Sequence, residues 1–118
     1  MVDVTIQERL AGDVVVLDVA GRISATDQQR TLQLAVVRLL VEGWKRIVVN
    51  MEQVPYIDST GLADLVEIIR ASQREGGSLC LAKPSPRVRE LLTLVKLTSV
   101  VDVFDSEEDA LDSQRAIV

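Results

Sequence analysis

Residues 45–69 read KRIVVNMEQVPYIDSTGLADLVEII, and a change of hydrophobic period inside this stretch decides the fold. Ile47-Val48-Val49-Asn50 is a short β-branched run, the pattern of a buried strand. After Val54-Pro55 comes a polar hinge, Tyr56-Ile57-Asp58-Ser59-Thr60-Gly61-Leu62, which opens a helix expected from about Thr60 to Glu75. Leu62, Leu65, Val66 and Ile69 form the expected buried stripe of that helix, with Asp64, Glu67 and Ala71 facing outward. Gly76-Gly77 supplies the φ > 0 positions of a C-cap, and Ser78 to Ala82 is the next strand. A strand, a helix and a second strand in this order form a crossover, which pairs the strands in parallel.

On the N-terminal side, Val4 to Arg9 alternates like an edge strand with one wet face. Gly12-Asp13 turns the chain into Val14 to Ala20, a buried strand that ends at Gly21 and pairs antiparallel to the first. Ser24-Ala25-Thr26-Asp27 has the form of a capping box, predicting a helix from about Ala25 to Glu42 that Gly43 ends. Leu32, Ala35, Val36, Leu39 and Leu40 supply its core stripe, while Leu34, Val37 and Val41 fall opposite as an apolar patch suited to a partner or to self-association. On the C-terminal side, Ser85-Pro86 starts a helix whose Val88, Leu91, Leu92 and Val95 face the core. Arg87, Arg89 and Lys96, with Glu90 interspersed, read as its solvated face. Val100 to Phe104 is a last strand, and Ser106-Glu107-Glu108-Asp109 caps a terminal helix with three acids in its first turn. The order is β-β-α-β-α-β-α-β-α. The chain reads as one α/β domain over residues 1–118, with a mixed, mostly parallel sheet of about five strands and about four helices.

Composition removes whole classes of function. The 118 residues carry a formal net charge of −5 and few aromatics (Trp44, Tyr56 and Phe104), which argues against nucleic acid as a direct partner. The sequence has no histidine and a single cysteine, Cys80, so it offers neither Ser-His-Asp nor Cys-His nucleophiles and no metal site built on Cys and His. Cys80 lies in the apolar run Leu79-Cys80-Leu81-Ala82 and reads as buried filler. No cofactor motif is found. Met1-Val2-Asp3-Val4-Thr5 shows no leader pattern and no apolar run is long enough to span a bilayer, so a cytoplasmic protein that does not engage the membrane is expected.

The chemistry concentrates at the carboxyl ends of the parallel strands, on the loops Gly21 to Thr26, Tyr56 to Thr60 and Lys83 to Ser85. The hinge is the richest. A helix cap needs one of Asp, Ser and Thr, and here Asp58, Ser59 and Thr60 stand in a row. Two of them are surplus to the cap. As a nucleophile Ser59 has no histidine to act as base, and no phosphate-binding glycine loop or Gly-x-Ser-x-Gly elbow is present. Its position at a helix start tolerates an anion, which suits a phosphate acceptor.

The Asp58-Ser59-Thr60-Gly61-Leu62 run after an apolar strand resembles the core signature of the STAS-domain anti-sigma-factor antagonists of bacteria. Val19-Ala20-Gly21-Arg22-Ile23, the Gly76-Gly77 step into a strand and Pro84-Ser85-Pro86 followed by Val88 resemble further family segments, so the similarity runs over nearly the whole chain. The resemblance implies a STAS fold in which Ser59 is the phosphoacceptor. It implies that an anti-sigma factor that is also a serine kinase binds the unmodified protein, that phosphorylation ends binding, and that a serine phosphatase restores it. The expected partner-binding residues are Tyr56, Asp58, Ser59, Thr60 and Gly61, with Gly21, Arg22, Ser24 and Thr26 from the preceding loop. Ser24 stands where many relatives carry an acid, and Thr60 where many carry a second serine. The protein is then a substrate and binding module, not an enzyme, and a monomer or weak homodimer. Two other readings stay open: an accessory subunit of a membrane transporter, and a module that binds a nucleotide or anion at the helix end.

Overall fold

The computed structural model describes residues 4–116; Met1 to Asp3, part of the stretch read for a leader, lie outside the described residues with 117 and 118. Strands β1 (Val4–Ala11) and β2 (Val14–Gly21) form the expected antiparallel hairpin. β3 (Arg46–Gln53), β4 (Ser78–Ala82) and β5 (Val103–Phe104) follow in parallel, giving a five-stranded sheet in the order β1-β2-β3-β4-β5. Strand order therefore equals chain order. Three crossovers with no reversal of strand order put helices α1 (Thr31–Val41), α2 (Ser59–Arg74) and α3 (Pro86–Leu94) on one face of the sheet. α4 (Glu107–Arg115) follows the last strand and packs on the other face.

The period-2 alternation of the strands divides the core in two. Val15, Leu17, Val19, Ile47, Val49, Met51, Leu79 and Leu81 pack under the three crossover helices. Val14, Val16, Val48, Cys80 and Ala82 point the other way and meet Ala110 and Leu111 of α4. Gln114, buried on α4, donates its amide to the carbonyls of Ile47 and Ser78, both at 3.1 Å. That pins the last helix to the start of two strands.

Several element boundaries differ from expectation. α1 begins at Thr31, not near Ala25, because the Ser24 hydroxyl bonds locally instead of capping a helix. Asp27 does the capping work from further along: its carboxylate accepts from the Thr31 amide at 2.8 Å. The expected core stripe of α1 holds, with Ala35 only half-buried. On α2 the buried stripe is rotated to Gly61, Asp64, Leu65, Ile68, Ile69 and Ser72. Asp64, expected outside, is only 8% exposed because Arg30 reaches across from the preceding loop and pairs with it. Leu62, Val66 and Ala71 are half-buried at the edge of the stripe.

Toward the C-terminus, Val95 was expected in the core but is exposed. α3 stops at Leu94, Lys96 takes a left-handed φ of 62°, and a single 3-10 turn buries Leu97 in place of Val95. The last strand shrinks to Val103–Phe104 because Val100 lies in that turn. Only Gly76 of the Gly76-Gly77 pair has positive φ, at 71°. Gly77 is required for space: a Cβ there would come within 2.7 Å of the Lys45 carbonyl oxygen.

Candidate functional site: the hinge and the groove beside it

The hinge is held by the loop before it, and one carboxylate does most of the holding. Asp58, in extended conformation, is the N-cap of α2 and accepts from the Gly61 amide at 2.8 Å through Oδ1. Its Oδ2 accepts from the Ala25 amide at 3.0 Å, which ties the 21–26 loop to the hinge. The amide of Ile23 donates to the Tyr56 carbonyl at 3.2 Å and the amide of Asp58 to the Ile23 carbonyl at 3.3 Å, an isolated parallel bridge beyond the sheet proper. The Ala25 and Gly61 amides, in that order, hold the Asp58 carboxyl below its ordinary range. Both oxygens of Asp58 are thus committed to amides, so it is no base for its neighbour.

Gly61 is the second fixed point. A Cβ at this position would collide with the Ile23 carbonyl oxygen, lie 2.7 Å from the Ile23 carbonyl carbon and sit 3.0 Å from Ile57 Cγ2. The helix can approach the loop only because that atom is missing. Ser59, between these two residues, is exposed at the first turn of α2 and its hydroxyl holds neither loop nor cap. Thr60 is half-buried beside it. Of the three cap candidates, the fold uses Asp58 and leaves Ser59 facing water.

The remaining residues expected at the site divide between presentation and support. Arg22 and Thr26 are exposed, and Gly21 is half-buried at the end of β2. Ser24 is only 6% exposed; its hydroxyl lies 2.6 Å from that of Thr26 and accepts from the Thr26 amide at 3.3 Å. Ser24 shapes the loop from inside. The third loop contributes through the helix it starts. Arg87, on the first turn of α3, stacks 5.4 Å from the centre of the Tyr56 ring.

That contact lines a groove of about 450 Å³ between α2 and α3, which the sequence reading missed. It is lined by the apolar Ile57, Leu62, Val88, Leu91 and the 76%-exposed Leu94, together with Tyr56, Asp58, Ser59, Arg87 and Glu90. A signal was present: Arg87, Leu91 and Leu94 recur at i, i+4 and i+7, a second stripe beside the core one. Reading Arg87 as merely solvated hid it. The groove is open and largely apolar, a shape for a protein side chain more than for a catalysed reaction. Among the described residues, no group of three His, Cys, Asp or Glu side chains could hold a metal ion.

The STAS domain family model matches residues 4–110, from the first strand into the last helix. The chain belongs to the STAS domain family. A Thermotoga neapolitana protein provisionally named an anti-sigma factor antagonist homologue is 30% identical to this STAS domain over 73 residues, 62% of this chain and 65% of that protein. The matched stretch thus spans just under two thirds of that relative's length. The anti-sigma factor antagonist SpoIIAA, solved unphosphorylated, superposes with a TM-score of 0.77 at 23% identity over 97% of this chain and 99% of its own. A sulfate transporter family protein from Wolinella succinogenes gives the same TM-score, 0.77, at 23% identity over 91% and 88% of the two chains. At such identities both superpositions speak to the fold alone. Among the described residues of this STAS domain, no helix is long and apolar enough to cross a membrane.

Proposed function

We propose that this STAS domain is an anti-sigma factor antagonist: in its unmodified form it binds an anti-sigma factor that is also a serine kinase, and so releases a sigma factor. Phosphorylation of Ser59 ends that binding, and a serine phosphatase restores it. The observation that carries this reading is the division of labour in the hinge. Asp58 and Gly61 are consumed by the fold, whereas the Ser59 hydroxyl is exposed at a helix start with no structural task. The antagonist name of the Thermotoga relative supports the same class.

The covalent step is a phosphoryl transfer. The γ-phosphorus of ATP forms a bond to Ser59 Oγ, its bond to the β–γ bridging oxygen breaks, and ADP leaves. The hydroxyl proton goes to a base supplied by the kinase, because Asp58 is committed to two amides. The protein is the substrate and performs no catalysis. Phosphate adds about −1.5 to −2 charges at Ser59. The positive end of α2 compensates by about 0.3–2 kcal/mol, so the fold survives. Placing the same charge against a complementary interface costs several kcal/mol, and each ~1.4 kcal/mol is tenfold in affinity. Such a partner places the protein in the cytoplasm, where sigma factors act.

Incubation with ATP and a candidate anti-sigma serine kinase, followed by mass spectrometry, tests the reading. Phosphate on Ser59, absent in Ser59→Ala, is the expected result. No modification by any cognate kinase, together with co-purification with a permease, would instead favour the transporter-subunit reading that the shared fold allows.

A further inference from the structure

We propose that Arg87 is the phosphate-responsive residue of the groove: it stacks on Tyr56 while Ser59 is a free hydroxyl and moves to pair with the phosphate once Ser59 carries one. The proposal rests on the reading of Ser59 as phosphoacceptor and adds what the protein itself does in response. Ser59, Tyr56 and Arg87 line the same groove, and Tyr56 lies three residues before the hydroxyl on the non-helical hinge. Neighbouring cations are already held by carboxylates: Arg30 by Asp64, Lys83 by Glu52 at 2.9 Å and Arg89 by Asp105 at 2.5 Å. Among the described residues Arg87 pairs with no carboxylate and rests on an aromatic ring instead, although Asp58 and Glu90 line the same groove. A guanidinium offers a planar fork of donors that fits phosphate oxygens, and a phosphate near two negative charges attracts it more strongly than the face of a tyrosine. Arg22, exposed on the neighbouring loop, is the competing cation, but it does not line the groove. Phosphorylation then changes shape as well as charge, because the departure of Arg87 bares the Tyr56 ring at the groove edge.

The test uses the full chain with phosphoserine placed at position 59 during translation, so it does not depend on finding a kinase. Failure to find one would count against the proposed function and leave this measurement intact. The probe is the phosphate itself, titrated by phosphorus NMR in four backgrounds: unchanged, Arg87→Gln, Arg87→Lys and Arg22→Gln. Asp58 and the start of α2 act on the phosphate in opposite senses in every background, so the difference between backgrounds is the readout. Arg87→Gln is expected to move that midpoint to higher pH by about half a unit or more, the scale of a solvent-exposed ion pair. Arg87→Lys restores part of the lowering through charge without the fork. Tyr56 is the only tyrosine, so its ring resonances are assigned directly; they shift with the phosphate titration in the unchanged background and shift less in Arg87→Gln. Equal midpoints with Arg and Gln at position 87, or a shift produced by Arg22→Gln alone, would overturn the proposal.

Discussion

Ser59, Asp58 and Gly61 lie within four consecutive residues yet stand in three different surroundings, and each predicts a different failure. Ser59→Ala is expected to abolish phosphorylation and leave kinase binding intact. Ser59→Asp should weaken binding at least tenfold in calorimetry while the circular dichroism spectrum stays unchanged, since the side chain is exposed. Gly61→Ala should go against helix propensity: in an open helix the change stabilises, but here the methyl meets the Ile23 backbone. A loss of about 1–3 kcal/mol in urea unfolding is expected, the usual cost of overpacking. Asp58 gives a pH signature. Its folded carboxyl titrates below the ordinary Asp value, so its tie to Ala25 is fully present above about pH 4 and is lost as pH falls through the lowered value. The Ala25 amide shift in a proton NMR titration should report that release, and in Asp58→Asn the acid-dependent change should vanish.

Elements were legible to the extent that their partners were local. The capping patterns of α3 and α4 appear where expected, Ser85 accepting from the Val88 amide at 3.2 Å and Ser106 from the Asp109 amide at 3.0 Å. Ser106→Ala should therefore cost about 1 kcal/mol in thermal or urea unfolding, the ordinary worth of such a cap. Ser24-Ala25-Thr26-Asp27 has the form of the α4 cap and fails, because the Ser24 hydroxyl is spent on Thr26 and the loop is held instead by Asp58, which takes the Ala25 amide from 33 residues away. Asp64 was misread for the same reason: a carboxylate on a helix reads as solvated until Arg30 arrives from 34 residues away. The hinge residues themselves were readable, because three cap-competent side chains in a row exceed what a helix end requires. The groove was less so, since it exists only where α2 and α3 lie side by side.

Across the whole molecule, one sheet separates two apolar layers, and Cys80 sits in the layer covered by α4. Burial raises its thiol to about 11, so at pH 8 the native protein should react with iodoacetamide only on global opening. The labelling rate should then rise with urea in parallel with the circular dichroism transition; fast labelling in buffer would mean that α4 detaches on its own. Hydrophobic periods, turn residues and local caps were enough to determine the α/β class, the element order, the antiparallel hairpin and the presence of surplus cap-competent side chains at the start of α2. Those features depend on interactions within a few residues or on a repeat that any sheet or helix must obey. Tertiary structure alone decided that Asp58 clamps the preceding loop, that Gly61 is required for close approach, and that Arg87 shares a groove with Ser59. Each of these is a contact between segments distant in the chain, and their distance and direction are set by packing across the sheet, which no local pattern encodes.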